Sequence, residues 1–481
     1  MYRKYPARRM PPPESFFVIL LKSPSKSIFT LTLIGCVILL ALPANDAVEP
    51  LVLRSAAVIL LAIGLWSTAV VPSFMGSLIF MFAAMVAAIA PANVVFSGFH
   101  SGAMWLVFGG LVVGLGVKRS GLDVRLVEAL LHRIPTSYVG TIYGVFWAAF
   151  SLAWIVPSAA GRVALLVPIM LSLADKLGFA EGSKGRAGLV LAAAMGTMAP
   201  AFAILPSNVP NMSLFGAVES LYGIRLTYTD YLLLNFPVIA VGALILYPAL
   251  LSFMFKDTPA AREQSVAATP WKEDEVRLLL IVAVALVLWI TDTLHGISPA
   301  WVSLGAALVC VAPRIGMLPP SALGKDIDFT PLLFLAGVIG LGGVATHTGV
   351  GNLIAEFLLT NVPLHHGQDG ENFGIIAAIA TVIGLFTTMP AQPAIMAPMA
   401  EAMAQASGWS LMSVLMAPVV TWTMFPFFYQ APPVVLAVAL GNLRISWVIK
   451  MLVAYMFISA VILLPLHFLW GQYLGYFKVA G

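Results

Sequence analysis

Charge is what this chain has least of. Only 10% of its 481 residues are Asp, Glu, Lys or Arg, while 60% are hydrophobic. A soluble domain carries about 25% charged residues, so there is too little polar surface to keep a chain of this length in water. Cysteine is scarce as well. Cys36 and Cys310 stand alone within apolar stretches, which excludes a disulfide framework and any cysteine-based zinc spacing. Acidic residues are missing from the middle of every predicted span, since Asp230, Asp292 and Asp328 fall near span ends. Proton-coupled cation exchangers usually need such a carboxylate. No P-loop, metal-ligand spacing, nucleophile elbow or catalytic dyad occurs, which argues against pumps and intramembrane enzymes and calls for no cofactor.

What the chain does have is a series of apolar runs, each near the roughly 20 residues that cross a bilayer. The runs predict spans near 28–43, 55–71, 77–93 and 101–117, then an amphipathic stretch at 118–136. Two short pieces, 138–156 and 162–175, read together as a re-entrant hairpin over 138–176. A span over 187–220 is interrupted at 205–211, and another covers 231–254. The order then recurs: spans at 278–294, 299–313 and 329–346, a hairpin over 372–405, a span over 411–441 interrupted at 429–433, and a last one at 446–470.

This recurrence is visible in the residues themselves. WLVFGGLVVGLGVKRSGL from Trp105 and PLLFLAGVIGLGGVATHTGV from Pro331 pair Gly109 with Gly337, Gly114 with Gly342 and Glu128 with Glu356 at one offset of about 228. PSAAGRVALLVPIM from Pro157 and TTMPAQPAIMAPMA from Thr387 follow in the same order, with Pro168 opposite Pro398. Two such echoes predict a duplicated half. The expected fold is an all-α polytopic membrane protein. It has two inverted repeats of five transmembrane helices plus a re-entrant hairpin each, preceded by one extra N-terminal helix. The domains read as a cytoplasmic tail 1–27, a first helix and repeat 1 over 28–254, a cytoplasmic linker 255–276 and repeat 2 over 277–481.

Basic residues orient this arrangement. The formal net charge of +4 is no nucleic-acid footprint, because the cations cluster beside apolar segments. With the N-terminus inside, Lys118, Arg119, Lys176, Lys184, Arg186, Lys256, Lys272, Arg314 and Arg444 all fall on the cytoplasmic side. The stretch from 345 to 411, predicted to face outward, contains no Lys or Arg. The first apolar run lacks a small-residue cleavage site, so it is expected to be a retained anchor rather than a signal peptide. These readings place the chain in a bacterial inner membrane, multi-pass, with a cytoplasmic N-terminus.

The candidate site lies at the interruptions. Backbone that leaves a helix at membrane depth must line a cavity or be buried in protein, because lipid cannot satisfy its polar groups. Four breaks occur, two per repeat: 157–161, 205–211, 387–393 and 429–433. Arg162 follows Ser158 by four positions at the start of the second hairpin arm. An intramembrane Arg has a partner or a task; here it either grips an anion with its fork or bonds to backbone carbonyls at the tip. Supporting polar groups are Ser158, Ser207, Asn208, Asn211, Thr387, Thr388, Gln392 and Gln430. Each alone is more often a helix-packing residue than a ligand.

On these motifs the chain resembles the divalent anion/sodium symporters of the wider ion-transporter superfamily, from about residue 50 to its end. That resemblance implies a homodimer in the lipid bilayer, with a scaffold domain and a transport domain that moves as an elevator. It implies a Ser-Asn-Thr motif at each hairpin tip, ten residues before a Pro. Here those positions are Ser158-Ala159-Ala160 and Thr388-Met389-Pro390, so both Asn residues are missing. In the family these tips, together with the broken-helix loops that carry Ser207, Asn208, Gln430 and Pro432, contact a carboxylate substrate and form sodium sites. The implied sodium sites near Ser158 and Thr387 are thereby weakened. The Pro-Ser-x-x-x-Arg pattern looks closer to exchanger-type members, in which a fixed guanidinium stands where sodium stands elsewhere. The function expected is secondary transport of a small organic anion, a di- or tricarboxylate or similar. Alternatives are a carrier of sulfate, phosphate or a sulfonate, or the membrane subunit of a tripartite transporter. A channel is a further alternative, but it would not need asymmetric hairpin tips. Topology is directly testable. A single Cys introduced at Gln368 should label with an impermeant maleimide in intact spheroplasts and one at Ser183 should not; the reverse pattern would exclude inverted repeats.

Overall fold

The computed structural model describes residues 24–43, 49–68, 70–122, 125, 137–156, 158–259 and 270–479. The expected tail lies outside them except for residues 24–27, which begin the first helix. Glu128, Pro157 and most of the expected linker also lie outside the described residues.

Among the described residues the chain is helical, with one isolated bridge between Trp409 and Val479. The first half contains α1 (Pro24–Ala41), α2 (Pro50–Thr68), α3 (Ser73–Val86) and α4 (Gly102–Ser120). It continues with α5 (Tyr138–Ser151), α6 (Ala159–Lys176), α7 (Lys184–Met198), α8 (Val209–Tyr222) and α9 (Tyr228–Met254). The second half contains α10 (Glu273–Ile290), α11 (Pro299–Val311), α12 (Thr330–His347), α13 (Val350–Asn361) and α14 (Asp369–Phe386). It closes with α15 (Gln392–Met396), α16 (Ala400–Ser407), α17 (Leu411–Thr423), α18 (Pro432–Leu440) and α19 (Ile445–Tyr473). Six helices among the described residues are long and apolar enough to cross a membrane.

Sequence dictates where these helices start and stop. Ser101, Ser137, Ser158 and Ser183 each cap a helix by accepting a backbone N–H, of Met104, Gly140, Gly161 and Arg186 respectively. Gly121 and Gly223 end α4 and α8 in the left-handed conformation, which costs glycine little. Proline opens α8, α12 and α18, where its missing N–H has no intrahelical partner to lose. α7 is apolar on all sides, so it has no face to offer solvent or lipid, and every residue from Ala187 to Met198 is buried. It packs between α5 and α6, and α18 lies across α6.

The two halves meet through a pair of matching helix crossings. Ser303 of α11 donates its hydroxyl to the Leu106 carbonyl of α4 at 3.0 Å. Ser77 of α3 does the same to the Phe334 carbonyl of α12 at 3.2 Å. Leu106 and Phe334 are the same 228 positions apart as the glycine pairs of the sequence echo. Three residues on from each carbonyl, Gly109 and Gly337 let the backbones approach. A Cβ at Gly109 would run into the backbone and hydroxyl of Ser303, and one at Gly337 into the side chain of Ser77. Such close helix approach through small residues is how helices associate in lipid, where hydrophobic burial gives no drive. Gly109→Val and Gly337→Val should each destabilise the protein by about 1–3 kcal/mol through overpacking. Gly305→Ala, with nothing within 4 Å of its added methyl, should be neutral or stabilising. Thermal melts of the three variants in one detergent check this; equal melts would show the crossings to be loose.

Candidate functional site

Four breaks converge on one cavity. In the first half, Ser158 caps α6, with Oγ 3.1 Å from the N–H of Gly161 that it accepts. Between α7 and α8 the chain passes through two short 3₁₀ turns before Asn208 extends and α8 begins. The freed backbone groups there are met by side chains. Asn211 donates to the carbonyls of Ala201 at 3.1 Å and Ile204 at 2.7 Å, and Asn208 to Met198 at 3.0 Å. Ser207 reaches across to the Ala153 carbonyl of the first hairpin arm at 2.8 Å.

Arg162 ties these pieces together. Its guanidinium is fully buried and donates to the carbonyls of Val156, of Thr197 at 2.6 Å and of Ser207 at 3.3 Å. It also reaches Asn208 Oδ1 at 3.5 Å. Of the two tasks the sequence left open, this geometry is the bracing one: the fork holds carbonyls from the hairpin tip, the end of α7 and the loop before α8. All of these acceptors are uncharged.

The second half solves the same problem with amides. Gln392 follows Thr388 by four positions, as Arg162 follows Ser158. It donates to the Ala380 carbonyl and to Thr421 Oγ1 at 3.3 Å. Gln430 donates to the Gly384 carbonyl, accepts from Phe427 N at 3.0 Å, and its own carbonyl accepts from Met389 N at 3.0 Å. Thr387 bonds back to Ile383 within its helix at 3.0 Å.

The cavity has a volume of about 410 Å³. Eight of the fourteen residues singled out from sequence line it: Ser158, Ala159 and Ala160 of the first tip, Asn208, Thr388, Met389 and Pro390 of the second tip, and Pro432. Arg162, Ser207, Asn211, Thr387, Gln392 and Gln430 are not part of that lining. Sequence reasoning missed Ser73, Phe74, Thr330 and Phe334, which also line the cavity from the starts of α3 and α12. Pro72 and Pro331, each at the start of a helix, were the available signal. The result is an enclosure onto which five helix N-termini open: those of α3, α6, α8, α12 and α18. The first turns of α3, α6 and α8 carry N–H groups without partners and a partial positive charge, so the cavity favours an anion; in α12 and α18 prolines remove such groups, and the Thr330 N–H is taken by Asp328.

A family model described as the sodium:sulfate symporter transmembrane region matches residues 24–477. A membrane protein of Cupriavidus necator is 26% identical over 64% of this chain and 62% of its own length. A putative malate transporter of Bacillus subtilis is 23% identical, over 40% of this chain and 43% of its own. An L-tartrate/succinate antiporter of Escherichia coli K12 is 28% identical over 40% of this chain and 42% of its own. The chain therefore spans about three fifths or less of the length of these relatives. The crystal structure of the Alcanivorax borkumensis YdaH transporter shares the fold, with a TM-score of 0.51 at 16% identity over 93% of this chain and 98% of that one. With a family match that runs through both halves, the chain belongs to the sodium:sulfate symporter family, the divalent anion/sodium symporters, and is an integral membrane protein.

Proposed function

We propose that this protein is a secondary transporter that carries a small organic anion across a bacterial inner membrane, binding it between the two hairpin tips. The observation that carries this reading is the cavity itself, onto which helix N-termini open at the breaks of both halves. The matching Ser303–Leu106 and Ser77–Phe334 crossings support a pair of inverted repeats. On that reading the tips and broken helices move as an elevator past a dimeric scaffold, and the N-terminus is cytoplasmic. The names of the tartrate/succinate and malate relatives support a carboxylate as cargo.

The role of Arg162 follows from its partners. Its carbonyl and amide oxygens neutralise no charge, so a full positive charge stays buried behind the first tip. A buried charge held only by dipoles calls for a counter-ion. An anion in the cavity is that counter-ion, and Asn208 connects the two by touching the guanidinium and lining the cavity at once. The same carbonyls are the oxygens a sodium ion would need, and the guanidinium holds them. Near Thr387 the carbonyls of Ala380 and Gly384 are held by the two glutamines. These carbonyls are thus committed to other donors, and we read transport as independent of sodium, in exchange mode.

Two experiments test this. Uptake into proteoliposomes loaded with internal anion should persist when choline replaces sodium; abolition of uptake by choline would reject the sodium-independent reading. Arg162→Gln keeps donors for some of the carbonyls but removes the charge. A charge one side chain away from the anion is worth about 1–2 kcal/mol at an effective dielectric near 20, so affinity should fall about 5- to 30-fold. Arg162→Lys should keep most of that affinity while melting lower, because the fork is lost. Affinity unchanged in a folded Gln variant would remove the charge from the binding energetics.

A further inference from the structure

We propose that Glu219 is a positioning residue of the transport cycle: together with Asp292 it latches the first broken helix to the unbroken helices beside it and so holds the conformation of this structure. This rests on the reading that tips and broken helices move while the unbroken helices stand still.

Glu219 lies in the last turn of α8, the second part of the first broken helix. A carboxylate there sits at the negative end of its own helix dipole. It is turned to a neighbour instead. Its Oε2 accepts the N–H of Gly102, the first residue of α4, at 2.6 Å. That N–H is one of the four a helix cannot satisfy by itself, and a helix start favours negative charge. Ser101 serves the N–H of Met104 at 3.4 Å and leaves that of Gly102 to Glu219. The fit is close: a Cβ at Gly102 would lie 2.9 Å from Glu219 Oε2 and 3.2 Å from the Phe215 ring.

The other half needs no such loan. Thr330 opens α12 and stands 228 positions after Gly102, the offset of the sequence echo. Its N–H goes to Asp328, two residues back, at 2.9 Å. The start of α12 is thus capped from its own segment. The start of α4 takes its carboxylate from a helix that the transport reading sets in motion.

Two further contacts follow on the connection from α8 to α9. Arg225 donates to the Gly296 carbonyl at 2.8 Å. Tyr228, the first residue of α9, donates its N–H to Oδ2 of the buried Asp292 at 2.5 Å, and Thr229 donates its hydroxyl to Oδ1 at 3.1 Å. Tyr228 also stacks on Trp289, with ring centroids 6.0 Å apart. Asp292 and Gly296 form the corner between α10 and α11, and α11 is joined to α4 by the Ser303–Leu106 crossing. The stretch from 219 to 229 is therefore tied at three points to one set of unbroken helices. Two of the ties are carboxylates on helix-start N–H groups, and such charge-assisted bonds are stronger than neutral ones. Carrying α8 past α4 must break the Glu219 bond, leaving a bare helix start on one side and a carboxylate at a helix end on the other.

The test uses the full chain in proteoliposomes, with Cys36 and Cys310 replaced by Ala and spin labels on Glu181→Cys and Ser321→Cys. Both label sites are exposed, one between α6 and α7 and the other between α11 and α12. Pulsed electron resonance reads the ratio of the conformation of this structure to a second one. Glu219→Ala should move that ratio about 10- to 100-fold toward the second conformation. Gly102→Ala, whose methyl meets the carboxylate only while the latch is closed, should shift it the same way, and the double variant no further than either single one. Glu219→Gln keeps an acceptor oxygen and should shift it less; it serves as the second variant should Glu219→Ala fail to fold. Asp292→Asn should act in the same direction. An unchanged ratio in folded variants, with succinate counterflow intact, would overturn the latch and leave the carrier standing, because a merely structural contact lowers the melting temperature without moving the ratio. Additive shifts in the double variant would overturn the Glu219–Gly102 contact as their common cause. A single distance in every variant, with no counterflow of succinate, malate or sulfate by the unsubstituted protein, would overturn both readings.

Discussion

Everything in this molecule turns on the cost of an interrupted helix inside a bilayer. An intact helix satisfies its own backbone; one broken at mid-membrane exposes N–H and C=O groups that lipid cannot satisfy. The chain makes these breaks and then meets the carbonyl side of each with buried side-chain donors. Arg162, Asn208 and Asn211 do so in the first half, and Gln392 and Gln430 in the second. In the first half the N–H side is left facing the cavity, so that what is tied down behind the tip is acceptor and what is offered in front of it is donor.

The two halves apply that strategy with different chemistry. At equivalent positions, four residues past the tip, one half places a guanidinium and the other a carboxamide. Both can donate to several carbonyls, so either serves as a brace. Only the guanidinium adds a charge, and so the electrostatic environment of the cavity is lopsided even though its scaffold repeats. The prolines of the second half push the same way. They start α18 without losing a helical hydrogen bond, yet they remove N–H groups from that side of the cavity.

Much of this was legible in the sequence because lipid simplifies the problem. Apolar runs, capping serines and Pro-containing breaks locate helices without reference to tertiary packing. The helix limits illustrate this: apolar pieces read at 138–156 and 162–175 correspond to helices Tyr138–Ser151 and Ala159–Lys176. Tip residues such as Ala160 and Met389 were found through the resemblance to the family, whose tip motif falls ten residues before Pro168 and Pro398. Phe74 and Phe334 were not, since both lie within the first five residues of unbroken helices. Only the α3–α12 and α4–α11 crossings bring those residues to the cavity wall, and sequence spacing does not encode a crossing partner. The direction of Arg162 was equally hidden. Its fork suits a carboxylate and a set of carbonyls alike, and the choice depends on acceptors at Thr197 and Ser207, 35 and 45 residues away.

The loss of asparagine at both tips acquires a physical sense in this setting. A side-chain amide at positions 159 or 389 would add a polar group that needs partners in a desolvated cavity. Alanine asks for none and leaves the first-turn N–H groups uncovered; methionine presents an adaptable apolar surface. With the guanidinium already holding the tip carbonyls, no cation is required to organise them. The positive charge is built into the chain, and on the proposed elevator reading it travels with the first tip. A carrier whose charge is fixed in this way carries an uncompensated cation when empty and a neutralised pair when loaded, so crossing the bilayer is electrostatically easier with an anion aboard. That difference favours exchange over net flux, because the return journey also runs best when loaded.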